Sequence, residues 1–105
     1  MTIARLAITT TANREEAERI ARTLIEERLA ACVNILDNVR SIYRWQGAVE
    51  SADESLLLIK TDQQHIELLR ERLTELHSYE LPEFLVLEVA GGSSAYLDWI
   101  AAGLR

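Results

Sequence analysis

The sequence predicts a single α+β domain in which strands and helices follow the order β-α-β-β-α-β, with a short helix at the end. Three observations support this prediction. The chain has 105 residues, the size of one ordinary domain. Two stretches carry apolar residues at helical spacing, with charged residues on the opposite face. The remaining apolar stretches are rich in β-branched residues or apolar without interruption, which is typical of strands.

The first strand and the first helix have clear local signals. Residues 2–11 are predicted to form a strand because β-branched residues dominate there. The following helix is predicted over residues 13–29. Asn13 supplies the N-cap, and Glu16, three residues on, completes a pattern like a capping box.

The middle of the chain predicts a long β-hairpin. Residues 31–45 and 48–61 form its strands, and Gln46-Gly47 is the two-residue turn between them. Asp37-Asn38 is predicted as a bend or bulge. An average strand has about five or six residues, so this hairpin reaches past the footprint of a small domain. Such arms usually pair with another chain, and a second subunit is the simplest candidate.

The last third predicts a helix, a strand and a short helix. Asp62 caps the second helix, which ends near His77, and a strand follows over residues 84–89. Ser93 or Ser94 then caps the final helix. The whole order is the ferredoxin-like arrangement. Right-handed crossovers place both long helices on one face of the sheet, so self-association is expected to cover the other face.

Charge and composition exclude several classes of partner. The chain has 17 acidic and 11 basic residues and a formal net charge of −6, whereas a duplex-binding protein needs a basic face. No apolar run approaches the length of a bilayer span, and no signal peptide pattern is visible. Cys32 is the single cysteine, so no intramolecular disulfide can form. We therefore expect a cytoplasmic protein without a nucleic-acid or membrane partner.

No catalytic signature is present. The sequence lacks a Gly-rich phosphate loop, CxxC, HExxH and GxSxG. No nucleophile–base pair can be named, which predicts that the protein is not an enzyme. One cysteine and two histidines cannot build a four-ligand zinc site from Cys and His alone within one chain.

Three residues are weighed as metal ligands. His77 ends the second helix, where an imidazolium is stabilised by the helix dipole, and it could equally donate an imidazole to Cu²⁺ or Zn²⁺. His65 is interpreted as a surface residue of the same helix, because no second ligand lies near it in sequence. Cys32, between small apolar residues, is interpreted as a small buried hydrophobe rather than a metal or redox site.

A second group of residues predicts a ligand pocket. It comprises Tyr43, Trp45, Lys60, Tyr79 and Glu83. Lys60 ends an apolar strand and must reach the sheet edge or pair with an acid such as Glu83. Two interpretations stay open, an ion pair at an interface or an anion-tolerant pocket with aromatic walls that suits a small metabolite. In the second, Lys60 and Glu83 face each other across a cleft lined by Tyr79 and Trp45.

Five segments along the chain resemble the CutA divalent-ion tolerance family. They are residues 29–35, 41–47, 59–61, 77–83 and 96–100. The resemblance implies a ferredoxin-like fold related to the PII signalling proteins, assembled as a tight homotrimer through the long hairpin. It further implies a role in tolerance to copper and other divalent ions in the bacterial cytoplasm, with no firmly attached enzymatic activity.

The resemblance also bears on the metal ligands. Some members carry a cysteine where this chain has Thr10 and a second histidine where it has Leu76. These groups, with the histidine that matches His77, are the family's proposed copper ligands. The expectation is therefore that no cofactor is required and that Cu²⁺ or another divalent cation binds weakly, with His77 as the one inherited ligand. The alternative is a PII-like trimeric module that senses a small molecule or a protein at subunit clefts, with no direct metal role.

Overall fold

The computed structural model describes residues 2–105 and confirms the predicted order of elements. The elements are β1 (Ala4–Thr11), α1 (Arg14–Glu26), β2 (Cys32–Trp45), β3 (Ala48–Asp62), α2 (Ile66–Leu76), β4 (Leu85–Glu88) and α3 (Ser94–Ala102). The strands form one antiparallel sheet in the order β2-β3-β1-β4. This is the ferredoxin-like βαββαβ fold with a third helix. Within residues 2–105, no helix has the length and apolar character needed to cross a membrane.

The β2–β3 hairpin is the longest feature of the sheet. Gln46 and Gly47 have φ values of 50° and 83°, the geometry of a two-residue turn that matches strand twist. Asn38 has φ 59° beside a shift in register, so the predicted bulge is present. β1 pairs with β3 only as far as Ser55. Residues 39–54 therefore form an arm whose strands pair only with each other.

Helix α1 begins where predicted and ends earlier. The Asn13 side chain accepts a hydrogen bond from the Glu16 backbone N–H at 2.9 Å and so caps the first turn. The helix ends at Glu26 rather than residue 29. Arg28 adopts a left-handed conformation with φ 58°, which cannot continue a right-handed helix.

The core lies between the sheet and helices α1 and α2. Its fully buried apolar side chains include Ala7, Ala17, Ile20, Leu24, Leu57, Ile59, Leu69 and Leu73. Each large side chain among them contributes roughly 1.5–3 kcal/mol by leaving water. The helices thus hold one face of the sheet firmly.

The other face of the sheet is largely uncovered, as the topology predicts. Leu85 and Leu87 of β4 share this face and are 58% and 45% exposed. Side chains alternate along β3, so Lys60 points away from the core-facing Ile59. Helix α3 reaches Lys60 through Tyr96 and therefore covers one end of this face.

Candidate functional site

A cavity of about 640 Å³ opens between the arm and the loop that follows α2. Its walls include three aromatic and three acidic side chains: Tyr43, Trp45, Tyr79, Glu54, Glu80 and Glu83. Tyr43 and Trp45 are two residues apart on β2, so their side chains project from the same face of the strand. The volume falls in the range of small-molecule sites. We call this cavity with these six residues the acidic aromatic pocket.

Tyr79 is held in place by three contacts. Its backbone N–H donates to His77 Nδ1 at 3.1 Å, and its hydroxyl donates to Glu54 Oε2 at 2.8 Å. Its ring lies against the His77 ring with centroids 4.8 Å apart. Burial, together with the Glu54 carboxylate, raises the pKa of Tyr79, so the phenol keeps its proton and remains a donor. This wall of the pocket is therefore fixed before any ligand binds.

Glu16 fixes the loop behind Tyr79. Its buried carboxylate accepts the Ser78 N–H at 2.7 Å and the Ala12 N–H at 3.3 Å. Burial alone would raise the pKa of Glu16, but the hydrogen bonds from Ser78 and Ala12 outweigh it and lower the pKa. The sequence identified Glu16 only as part of the α1 cap. Its second role depends on a partner 62 residues away.

The charge of the pocket is negative. Partial desolvation and the nearby Glu54 carboxylate raise the pKa of Glu83, because a second negative charge beside the first is unfavourable. Over residues 2–105, no lysine or arginine is among the lining residues. Glu54 is the functional candidate that sequence analysis missed. Only its place in the polar start of β3, the segment that pairs with the half of β2 that carries Tyr43 and Trp45, could have indicated it.

Lys60 is not in this pocket, which corrects the predicted pairing with Glu83. Its Nζ donates to the Tyr96 hydroxyl at 3.1 Å and lies 5.5 Å from the centre of that ring. Lys60 is six residues from Glu54 on β3, and at about 3.3 Å per residue this is about 20 Å. The sequence placed both on one strand without showing that Glu54, near the middle of β3, and Lys60, near its end, contact different parts of the molecule. The structure therefore brings Tyr43, Trp45, Tyr79 and Glu83 together without Lys60.

His77 is buried beside the pocket and uses both ring nitrogens. Nε2 donates to the Thr10 carbonyl at 2.7 Å, while Nδ1 accepts the Tyr79 N–H. Thr10 also lines the pocket, and Leu76 packs against the core. Among residues 2–105, no three or more His, Cys, Asp or Glu side chains are grouped to hold a metal ion. A metal at His77 would have to displace one of the two backbone partners.

His65 is buried, which corrects its interpretation as a surface residue. Nδ1 lies 2.6 Å from Asp62 Oδ1, and Nε2 hydrogen-bonds to the Arg105 carbonyl. Burial lowers the pKa of His65, but the bonds to Asp62 and Arg105 outweigh it and raise the pKa. The sequence could not show this because Arg105 lies 40 residues away.

Comparison with known proteins gives one consistent family. The model of the CutA1 divalent ion tolerance protein family matches residues 5–103. The chain is 47% identical over 95 residues to "Divalent-cation tolerance protein CutA" of Thermus thermophilus, covering 90% of this chain and 92% of the relative. It is 43% identical over 96 residues to "Protein CutA, chloroplastic" of Arabidopsis thaliana, covering 91% of this chain. The chain spans only 53% of that plant relative's length.

A solved structure superposes on nearly the whole of this chain. The crystal structure of CutA from Xylella fastidiosa superposes with a TM-score of 0.97 and 41% sequence identity. The superposition covers 99% of this chain and 100% of the Xylella chain. The arm and the loop that build the pocket therefore belong to a shared fold.

Proposed function

This chain belongs to the CutA1 divalent ion tolerance protein family. We propose that it contributes to the tolerance of divalent cations as a homotrimer, and that it binds such cations weakly. The family is one of tolerance proteins and not of enzymes. The observation that carries the functional assignment is the match over residues 5–103, nearly the whole chain.

The trimer is supported by apolar surface on the arm and on β4. Ile42 and Val49 are 71% and 68% exposed near the tip of the hairpin. Uncovered apolar area of this kind marks an interface. Light scattering at micromolar concentration is expected to give three times the 11.9 kDa chain mass. Val49→Glu is expected to weaken the assembly, whereas Glu50→Gln, its neighbour on the arm, leaves it intact. A stable monomer of the unmodified chain would contradict the proposal.

Weak metal binding is supported by the surroundings of His77. One imidazole is a weak site, both nitrogens of His77 already have backbone partners, and neither Thr10 nor Leu76 supplies a soft ligand. Calorimetric titration with Cu²⁺ is expected to give a Kd no tighter than about micromolar, near −8 kcal/mol. His77→Ala, checked for folding by circular dichroism, is expected to remove most of the binding. His65→Ala is the matched control, since that buried histidine lies at the opposite end of α2.

Two results of the titration would count against weak binding at His77. Nanomolar affinity would mean a site built from other residues. Affinity unchanged by His77→Ala would mean that this side chain serves only to hold the loop to β1.

A second candidate function is a PII-like module that senses a small molecule. The acidic aromatic pocket favours it, because its volume suits a metabolite and Tyr79 is fixed in advance. Trp45→Ala is expected to abolish ligand binding at this site while copper binding persists. Loss of both together would argue for a single metal-dependent site.

We also propose a cytoplasmic location. The free thiol of Cys32 is compatible with a reducing compartment. The Arabidopsis relative is named chloroplastic, so location differs among relatives. Fractionation of cells that make the full protein tests this, and recovery in the periplasm would contradict it.

A further inference from the structure

We propose that His65 acts as a pH-sensitive latch on residues 103–105, the segment that follows α3. The charged ring ties this segment to the start of α2, and the neutral ring releases it. Such a device is independent of the metal site and the small-molecule site proposed above.

The ring of His65 lies between two acceptors from different parts of the chain. Nδ1 is 2.6 Å from Asp62 Oδ1 at the end of β3, and Nε2 hydrogen-bonds to the backbone oxygen of Arg105. The same Asp62 oxygen accepts the His65 backbone N–H at 3.1 Å. The carboxylate is therefore fixed on the Nδ1 side of the ring, and the segment after α3 occupies the Nε2 side.

Only the charged ring can satisfy both acceptors. An imidazolium carries a hydrogen on each ring nitrogen, whereas a neutral imidazole carries one. In the neutral ring of His65 this hydrogen stays on Nδ1, because a carboxylate is a stronger acceptor than a backbone oxygen. Nε2 then presents its lone pair to the lone pairs of the Arg105 oxygen. Loss of the proton therefore breaks the bond to Arg105 and keeps the bond to Asp62.

The other contacts of the segment are neutral. The Arg105 N–H donates to the Arg28 carbonyl at 3.1 Å, and the Leu104 side chain is buried. Gly103 lies close to Ala31, since a Cβ added to the glycine would be 3.1 Å from Ala31 Cβ. A charge-assisted hydrogen bond is roughly twice as strong as a neutral one. Among these contacts, the bond from His65 is thus the one that pH can switch.

The charged groups around the ring decide when it titrates. Burial by itself lowers the pKa of His65, but the bonds to Asp62 and Arg105 outweigh it and raise the pKa. The Arg105 guanidinium opposes the charge on the ring. Asp98 of α3 lines a cavity of about 170 Å³ with Asp62, and the Arg5 guanidinium of β1 bonds to the side chain that follows Asp62. Because the pKa is raised on balance, the latch is closed at low pH and opens as pH rises through that value.

These contacts do not depend on surface that a trimer covers. His65, Asp62 and Leu104 are already buried within one chain. Asp62 lies eight residues beyond Glu54, the last residue of the arm, and at about 3.3 Å per residue this is about 26 Å along β3. The latch is therefore expected to act in the same way in each subunit of the homotrimer.

Methyl NMR of the assembled protein tests the latch. The Leu104 methyl signals report the position of the segment, and the Cε1 signal of His65 reports the charge of the ring, both followed from about pH 5.5 to about pH 8.5. We expect the Leu104 signals to change with the same midpoint as the ring. The open fraction is expected to rise roughly tenfold for each unit by which closing raises the pKa. Leu73, in the core, is the internal control and stays constant.

Two variants separate a charge effect from a merely structural contact. Asp62→Asn keeps an acceptor oxygen and removes the charge, so both midpoints are expected to move to lower pH by about one unit. His65→Gln has no titrating ring, and the Leu104 transition is expected to disappear. Glu67→Gln is the matched control on α2, because this acid is exposed and paired with Arg70, and it is expected to move neither midpoint.

Three results would overturn the latch. The first is a set of Leu104 signals that stays constant while the ring titrates. The second is a Leu104 transition that persists in His65→Gln, and the third is a midpoint unchanged by Asp62→Asn. If circular dichroism shows that His65→Gln does not fold, the midpoint in Asp62→Asn decides.

Discussion

Two buried histidines hold opposite parts of the molecule, and they do so with different chemistry. At one end, His77 Nε2 donates to the Thr10 carbonyl and Nδ1 accepts a backbone N–H. At the other, His65 places Nε2 against the Arg105 carbonyl and Nδ1 against the Asp62 carboxylate. Each ring thus joins a helix terminus to a distant backbone carbonyl. Only the partner of Nδ1 differs.

That one partner decides the charge of the ring. An Nδ1 that accepts a hydrogen bond carries no proton, so His77 is the neutral tautomer with its hydrogen on Nε2. His65 faces two acceptors, and only the imidazolium can donate to both. The comparison teaches that a histidine at a helix end cannot be assigned a charge or a ligand role from its position alone.

The largest expected effect is at the His77 end, on replacing Glu16. Glu16→Ala removes the charged acceptor of the Ser78 and Ala12 N–H groups, and a hydrogen bond to a charged group is worth about 1.5–3 kcal/mol. We expect a loss of about 3 kcal/mol in the free energy of unfolding by urea. Glu18→Ala is the control, because its side chain is 43% exposed in a surface pair with Arg14, and about 0.5 kcal/mol is expected. Equal losses for the two variants would show that the loop is not anchored through Glu16.

The next effect is at the His65 end and depends on pH. Because folding raises the pKa of His65, its stabilisation is fully present below the pKa of the unfolded chain. It is lost as pH rises through the higher pKa of the folded state. His65→Gln is expected to cost about 1.5 kcal/mol at pH 5.5, the value of a charge-assisted hydrogen bond, and clearly less at pH 8.5. Urea unfolding at both values checks this, and a cost independent of pH would mean that the ring is neutral.

The smallest effect concerns an exposed contact near α3. Lys60→Met removes the hydrogen bond to Tyr96 and the charge beside its ring, with an expected loss of about 0.5 kcal/mol. Tyr96→Phe keeps the ring and removes only the hydroxyl, so an even smaller loss is expected. Both are measured by urea unfolding. A loss for Lys60→Met as large as that for Glu16→Ala would show that exposure is a poor guide to these contacts.

The sequence predicted the fold well because its signals are local. The Asn13 cap, the turn at Gln46-Gly47 and the bulge at Asn38 each depend on a few neighbouring residues. The end of α1 was missed because Arg28 takes a left-handed conformation that its residue type does not announce.

The candidate site was harder to predict because its contacts are distant in sequence. Tyr79 reaches Glu54 across 25 residues, and Lys60 reaches Tyr96 across 36. Alternation along a strand shows which face a residue occupies but not which helix or loop stands opposite it. The prediction therefore grouped Lys60 with Tyr79 and Glu83, and it left Glu54 among the polar residues at the start of β3.

The two-residue turn of the long hairpin has a consequence for the order in which the chain assembles. Closing this turn costs little chain entropy, so β2 and β3 can form their hairpin within microseconds. β1 leaves the ribosome first, but its partner β3 follows only after α1 and β2. The other edge of β1 pairs with β4, for example Ile8 with Leu85, and β4 is synthesised later still. During synthesis, β1, one of the two inner strands of the finished sheet, is thus left unpaired while the β2–β3 hairpin forms around its turn.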